Sequence, residues 1–185
     1  MTRPKSLTHL FNNKKTIVTG HTGFKGSWLS AWLHLIGADV YGISLETPPS
    51  KPSHFDVADF SKFVKEQHID IRKSNELSEC VNDIKPDFVF HLAAQALVRQ
   101  SYDDPVETYQ INTLGTLNLL EALRLLEKKC AVVLITSDKC YDNLEWVWGY
   151  RETDALGGPD PYSASKGAAE LVIRSHVKSF FPLNG

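Results

Sequence analysis

A chain of 185 residues is long enough for one domain with its own hydrophobic core, here 1–185, without disulfides or a structural metal to support it. With 42% hydrophobic residues, 23% charged residues and a net charge of -2, the composition is that of a soluble globular protein and argues against nucleic-acid binding. Three cysteines without paired spacing, no secretory signal and no long apolar run predict a cytoplasmic protein with buried thiols, no zinc site and no membrane segment.

The N-terminal part predicts a compact β-α-β unit. The apolar stretch 15–20, "KTIVTG", is typical of a strand, and "DVYGISL" at 39–45 predicts a second one. Between them, "FKGSWLSAWLHLIG" is apolar around most of its circumference, which predicts a buried helix with Gly37 as its C-cap. The Pro-rich stretch 46–55 is expected to be a surface loop.

Strands and helices continue to alternate along the chain. A short strand is expected at the end of 63–71, a weak helix near 75–84, a strand covered on both faces at 86–94, and a further strand at 131–137. The alternation predicts an α/β fold, a Rossmann-like doubly wound parallel sheet. Ligands of such a sheet bind at the carboxyl ends of its strands.

Two long helices have strong start signals. Asp104 is the expected N-cap of the first, with Pro105 in its first turn and Glu107 at the capping-box position. Asp160 and Pro161 repeat this arrangement in the second. These signals fix where both helices begin.

Three glycines stand between the first strand and its helix. Gly20, Gly23 and Gly26 in "TGHTGFKG" provide a tight turn, room for a diphosphate against the backbone, and close packing of helix on strand. The helix N-terminus adds unpaired N–H groups that bind phosphate oxygens. The alternative is a purely structural turn, but the β-α-β context favours a dinucleotide site.

The adenosine end of that site lacks its usual acid. Ser44 occupies the end of the second strand, where a carboxylate commonly binds the ribose diol, and Glu46 follows two residues later. Ser44 can still bond a ribose hydroxyl, although it does not repel a 2′-phosphate as a carboxylate does, and NAD is expected over NADP. Asp70 and Ile71 at the next strand end either contact the adenine or form an ordinary solvent-facing strand end.

Reactive side chains cluster later in the sequence. Tyr162 and Lys166 lie four residues apart at a helix start, so they share one face, and the lysine favours a phenolate that can act as a general base. The same pattern alone is common on solvated helices. Ser137, Asp138 and Lys139 add a hydroxyl, an acid and an ammonium at a strand end, the place where a parallel sheet binds ligands. The alternative for Asp138 is a simple turn cap.

Five stretches together resemble the extended short-chain dehydrogenase/reductases, and among them the 4,6-dehydratases that act on CDP-glucose. The stretches are "TGHTGFKGSW", "HLAAQALVRQSYDDP", "NTLGTLNLLEA", "ITSDKCYDNLEWVWGYRE" and "LGGPDPYSASKGAAEL". The similarity runs nearly without a break from about Lys15 to Phe181. Relatives that act on dTDP-glucose carry Thr-Asp-Glu where this chain has Ser137, Asp138 and Lys139.

This resemblance implies a lyase of deoxysugar and O-antigen biosynthesis that uses NAD twice in one cycle. Tyr162, assisted by Ser137, would take the proton of the sugar 4-hydroxyl as hydride leaves C4. Asp138 would then be the acid for water loss across C5 and C6, before hydride returns to C6. Lys139 would either be the base at C5 or balance the charge of Asp138.

The resemblance also implies which residues surround the ligands. Those expected to bind NAD are Gly20, Thr22, Gly23, Phe24, Lys25, Gly26, Ser44, Asp70, Ile71, Leu92, Ala93, Ala94, Tyr162 and Lys166. Gln95 and Arg99 are expected to bind the sugar substrate, although Arg99 could instead form a surface ion pair. Trp146, Trp148 and Tyr150 either wall the sugar site or plug a core edge. Asn112 and Gly115 would fix their helix against the active-site strand.

Partners and completeness follow from the same resemblance. Family members dimerise through the two long helices, here about 105–128 and 162–180, so a homodimer is expected. They continue past "PLNG" into a substrate-binding domain, so this chain is expected to be truncated. The alternatives are a catalytically silent NAD-binding or interaction module, and another nucleotide-sugar epimerase or dehydratase.

Overall fold

The structure is a computed structural model that describes residues 6–181 as two compact units. The first unit comprises 6–70, 79–93 and 126–135, and the second comprises 71–78, 94–125 and 136–181. The closing "PLNG", on which the expected truncation rests, lies outside the described residues.

A five-stranded parallel sheet forms the centre of the first unit. Its strands are β1 (Lys15–Thr19), β2 (Asp39–Ser44), β3 (Lys65–His68), β4 (Phe88–His91) and β5 (Ala131–Leu134). Their order is β3-β2-β1-β4-β5, so the strand order reverses between β1 and β4, where an open parallel sheet binds its ligand. The parallel sheet with flanking helices confirms the predicted Rossmann-like fold.

Short and long helices accompany this sheet. They are α1 (Leu7–Phe11), α2 (Phe24–Leu35), α3 (His54–Val57) and α4 (Ser74–Ile84). Gly37 has a positive φ of 91° directly after the last turn of α2, as the predicted helix end requires. The prediction of a wholly buried α2 is wrong. Leu33 is fully buried, but Phe24 and Leu35 are 70% and 81% exposed, because only one face of the helix packs on the unit.

The core of the first unit joins strands, α2 and loop residues. Val18 of β1 and Val40 of β2 pack with Leu33 of α2, and all three are at most 1% exposed. Each such side chain contributes about 1.5–3 kcal/mol by leaving water. Phe55 is also buried in this core, but it belongs to α3, so the surface loop predicted for 46–55 ends before it.

The strand β5 is more exposed than its apolar sequence predicts. Val132 and Val133 are 37% and 45% exposed, and β5 is the edge of the sheet that the described residues form. Periodicity cannot distinguish an edge strand from a central one, so the sequence indicated a buried strand. No helix within 6–181 is both long enough and apolar enough to span a membrane.

The second unit is helical. Its helices are α5 (Val98–Asp103), α6 (Pro105–Tyr109), a π-helical stretch (Gln110–Leu114), α7 (Gly115–Arg124) and α8 (Pro161–Phe180). The predicted caps are confirmed, because Asp104 accepts from the Glu107 amide and Asp160 accepts from the Ser163 amide. The short helix α5 precedes Asp104 and was not predicted.

The three cysteines are free thiols. Cys80 and Cys140 are buried as expected, whereas Cys130 is partly exposed. Burial nevertheless raises the pKa of the Cys130 thiol to about 11, so it stays protonated and unreactive at neutral pH. Within the part of the chain that the structure describes, no three His, Cys, Asp or Glu residues are placed to hold a metal ion.

Candidate cofactor and active site

The glycine loop joins β1 to the N-terminus of α2. Gly20 has a φ of 70°, and a Cβ built on it would lie 2.8 Å from the Ala93 amide nitrogen, so only glycine fits against the chain that follows β4. Gly23 is the N-cap of α2 and has no side chain to bond the first-turn N–H groups. Those groups are therefore available to an anion, which is the arrangement that a dinucleotide diphosphate needs.

Gly26 closes this loop onto the helix. A Cβ built on Gly26 would lie 2.1 Å from the carbonyl oxygen of Gly20, closer than any real contact. The loop backbone thus lies directly on the first turn of α2, whereas the third glycine was predicted to pack the helix on the strand. The loop geometry fits the diphosphate of NAD, while the individual contacts of Thr22, Phe24 and Lys25 with a cofactor stay predictions.

A buried hydroxyl joins the ends of β1 and β4. The Oγ1 atom of Thr19 accepts from the Leu92 and Ala93 amides at 3.1 Å each, so both lone pairs are used. Its proton therefore goes to Nδ1 of His91, 2.7 Å away, which makes that nitrogen an acceptor. Thr19 and His91 position the loop carrying Leu92 and Ala93, and sequence reasoning missed both because the pair is 72 residues apart.

A second histidine lies inside the glycine loop itself. His21 is completely buried, and its Nε2 atom is 3.2 Å from Oε2 of Glu66 on β3. Its ring packs against Gly42 of β2, and a Cβ built on Gly42 would lie 2.4 Å from the ring. Burial lowers the pKa of His21 below 6.5, against the opposing effect of Glu66. A neutral imidazole therefore fixes the loop to two neighbouring strands.

We expect the chain to lose stability as pH falls below about 6.5, because unfolded His21 then binds a proton that the folded state disfavours. The loss begins near the unfolded pKa and ends once pH passes the lowered folded pKa. Urea unfolding midpoints measured from pH 7.5 to 5 should fall in the wild type and fall less in His21→Asn. Equal declines in the two proteins would contradict this role for His21.

Three residues are expected around the adenosine of the cofactor, namely Ser44, Asp70 and Ile71. Ser44 is buried, and its hydroxyl donates to the Leu45 carbonyl at 2.9 Å, which leaves its oxygen as an acceptor. Asp70 follows β3 and is partly exposed. Ile71 is 5% exposed, and its side chain occupies the space that a Cβ on Gly115 would need. Gly115 therefore allows a close contact, but the contact is with Ile71 and not with a strand. Their roles toward adenosine stay predictions.

Tyr162 and Lys166 lie on the first two turns of α8. The Tyr162 amide donates to the Ser101 hydroxyl at 3.1 Å, and the side chains of Tyr162 and Lys166 are 8% and 5% exposed. Burial lowers the pKa of Lys166 to about 8, while Glu170 acts in the opposite direction. The ammonium form still predominates at neutral pH, and its buried charge favours an anionic partner such as a phenolate.

Asn112 braces α8 from the π-helical stretch. The side-chain nitrogen of Asn112 donates to the Ser165 hydroxyl at 2.9 Å and to the backbone carbonyl of Gln95. Its side-chain oxygen accepts from the backbone N–H of Gln95. Ser165 lies between Tyr162 and Lys166, so the brace fixes the turn that carries both. The predicted fixing role of Asn112 is correct in kind, although its partners are a helix and a loop and not a strand.

The sequence "SDKC" forms a single 3₁₀ turn after β5. Ser137 caps it, accepting from the Lys139 amide at 3.2 Å and donating to Oδ1 of Asp138 at 3.0 Å. The side chains of Asp138 and Lys139 are exposed. The turn overrides strand alternation and presents three functional groups within three residues, but the Ser137 hydroxyl must release Asp138 before it can donate to a sugar oxygen.

The two residues expected to bind sugar differ in availability. The Gln95 amide is buried, and its nitrogen donates to the Leu97 carbonyl and the Thr108 hydroxyl at 3.0 Å each. Its oxygen accepts from the Leu97 amide, so the side chain serves the loop and both amide protons are used. Arg99 is exposed on α5 and is available to a ligand. The substrate role of both residues stays a prediction.

An aromatic stack lies in the loop that follows the 3₁₀ turn. Tyr141 stacks on Tyr150 with ring centroids 5.4 Å apart, and Trp146 contacts Tyr150 and Trp148 at 5.3 and 5.8 Å. The Tyr150 hydroxyl accepts from the Leu144 amide and donates to Asn143. Trp148 remains 60% exposed, so this loop does not simply plug a core edge.

A family model and similar curated proteins both relate this chain to nucleotide-sugar 4,6-dehydratases and epimerases. The model of the GDP-mannose 4,6-dehydratase family matches residues 17–181. The CDP-glucose 4,6-dehydratase of Salmonella typhimurium is 51% identical over 94% of this chain and 48% of its own length. The CDP-paratose 2-epimerase of Salmonella typhi is 30% identical over 90% of this chain and 54% of its own length.

Solved structures share the fold. The Thermus thermophilus UDP-glucose 4-epimerase in complex with NAD has a TM-score of 0.75 and 30% identity, covering 90% of this chain and 52% of that one. The chain thus spans about half the length of the relatives it matches.

Proposed function

Because this chain belongs to the GDP-mannose 4,6-dehydratase family, we propose that it is the NAD-binding part of a CDP-glucose 4,6-dehydratase. The observation that carries this proposal is the 51% identity to the Salmonella typhimurium enzyme, against 30% to the epimerase of CDP-paratose. The product would be a 4-keto-6-deoxy sugar nucleotide for deoxysugar and lipopolysaccharide synthesis, made in the cytoplasm.

The glycine loop is proposed to hold NAD by its diphosphate. The first-turn N–H groups of α2 and the side-chain-free surface of Gly20 and Gly23 suit two linked phosphates. Ser44 bonds a ribose hydroxyl in place of the usual carboxylate. When bound, NAD accepts a hydride from the sugar and later returns it.

Tyr162 is proposed as the base for the first half of the reaction. Its phenolate takes the proton of the sugar 4-hydroxyl as C4 becomes a ketone. The buried Lys166 ammonium stabilises that phenolate, and Asn112 with Ser165 holds the turn in place. The Ser137 hydroxyl, once released from Asp138, donates to the same sugar oxygen.

Asp138 is proposed as the acid for the second half. The new ketone acidifies C5, which loses a proton, and the C6 hydroxyl leaves as water with a proton from Asp138. Lys139 lies next to it and is proposed either to accept the C5 proton as a free amine or, as an ammonium, to balance the Asp138 charge while the C5 proton passes to water. An epimerase needs no acid at C6, so the pair Asp138–Lys139 supports dehydration over epimerisation.

A chimaera tests this proposal. Joining this chain to the C-terminal half of the Salmonella typhimurium enzyme should give a protein that converts CDP-glucose to a 4-keto-6-deoxy product, detected by mass and by the ketone. A chimaera that folds and binds NAD but leaves CDP-glucose, dTDP-glucose and UDP-glucose unchanged would instead indicate a silent binding module.

We also propose that the chain forms a homodimer through its two long helices. Val106 of α6 and Leu171 of α8 are apolar yet 66% and 47% exposed, as expected of side chains that a second copy covers. Sedimentation should give a dimer for the wild type and a folded monomer for the double variant Val106→Glu/Leu171→Glu. Leu35→Glu, at an exposed position of α2, serves as the control and should stay dimeric. A wild type that sediments as a folded monomer contradicts the proposal.

A further inference from the structure

Glu170 joins the 3₁₀ turn to the helix that carries Tyr162 and Lys166. It lies one helical turn after Lys166 on α8, so the two side chains share a face. The Thr136 hydroxyl donates to Oε1 of Glu170. Thr136 directly precedes Ser137, so a single carboxylate contacts the chain at the start of the turn and lies one helical turn from the buried lysine. Sequence reasoning did not single out Glu170.

Charged and titratable groups lie near Lys166 on α8 and near the 3₁₀ turn. On α8, the groups that face Lys166 are Tyr162 and Glu170, and Glu170 is the one that opposes the effect of burial on the lysine pKa. Across from α8, Cys140 ends the 3₁₀ turn and Tyr141 follows it. Burial, with a contribution from Glu170, raises the pKa of both, so they stay neutral near pH 7. The charges of Asp138 and Glu152 also act on Cys140, whereas Glu170 is the carboxylate whose charge acts on Lys166.

We propose that Glu170 is a positioning residue that keeps Lys166 in its ammonium form, and that Thr136 holds the carboxylate in place for this purpose. A lysine that is 5% exposed tends to lose its proton to avoid an unsolvated charge. A neutral lysine cannot stabilise a phenolate at Tyr162. The link to Thr136 also fixes the turn that carries Ser137 relative to α8.

The titration of Lys166 tests this proposal without substrate. Lysine-selective ¹³C labelling of the chain, with the Lys166 signal assigned by its absence in Lys166→Met, gives the midpoint directly. In Glu170→Gln, which keeps the shape and the acceptor oxygen, we expect the midpoint to fall by about one pH unit or more. Glu121→Gln, a carboxylate of α7 paired with Arg124, is the control and should leave it unchanged.

A midpoint that stays the same in Glu170→Gln overturns the proposal. If that variant does not fold, Thr136→Val serves instead, because releasing the carboxylate should lower the midpoint by a smaller amount, and no change there overturns the proposal equally. The inference rests on the proposed role of Lys166 beside Tyr162. The titration of Lys166 measures no turnover. An unchanged Lys166 midpoint therefore contradicts the role of Glu170, whereas an inactive chimaera contradicts the proposed dehydratase function.

Discussion

Gly26→Ala should abolish NAD binding and destabilise the chain by about 3 kcal/mol, although alanine is ordinarily the better helix former. The reason is steric, since the new Cβ would lie 2.1 Å from the Gly20 carbonyl oxygen and 2.9 Å from the His21 Cα atom. Both are backbone atoms that cannot rotate away. The loop must therefore move off α2, and its N–H groups no longer converge on the diphosphate.

Gly149→Ala is the matched control, because a Cβ at Gly149 meets no atom within 4 Å. Calorimetric titration with NAD and urea unfolding should find Gly149→Ala close to the wild type in both respects. A Gly26→Ala variant that binds NAD with wild-type affinity would mean that the glycine loop does not hold the cofactor.

Tyr162→Phe should lower turnover of the active chimaera by at least about 10³-fold, because it removes the proposed base while keeping the buried ring. No reduced nicotinamide should form with CDP-glucose. Asp138→Asn should instead allow the ketone and reduced nicotinamide to form and should slow the loss of water. The two variants thus separate oxidation from dehydration.

Tyr102→Phe, at an exposed position of α5, should leave turnover unchanged. Equal loss of both steps in Asp138→Asn would count against its role as the acid. Stopped-flow measurement of nicotinamide absorbance, followed by quenching and product analysis, distinguishes these outcomes.

Local signals carried most of the fold prediction. Asp104 and Asp160 each bond an amide three residues along the chain, so their role can be recognised within one helical turn. Gly26 is similarly defined by the loop residues that precede its helix. Such features depend on neighbours in sequence, and the structure confirms them.

Long-range contacts explain what the sequence could not indicate. Thr19 bonds His91 and Thr136 bonds Glu170 across 72 and 34 residues, and neither pair has a recognisable spacing. Gly42 is required by the ring of His21, which approaches from a different strand end. The burial of α2 was wrongly predicted for a related reason, because composition does not indicate which face of a helix packs against the sheet.

The proposed dehydratase would move hydride from C4 to C6 of a nucleotide-linked sugar. The most direct test feeds CDP-glucose deuterated at C4 to the chimaera and locates the deuterium by NMR. We expect deuterium at C6 of a 4-keto-6-deoxy product. Deuterium retained at C4 with inverted configuration, or unchanged substrate beside bound NAD, would contradict it.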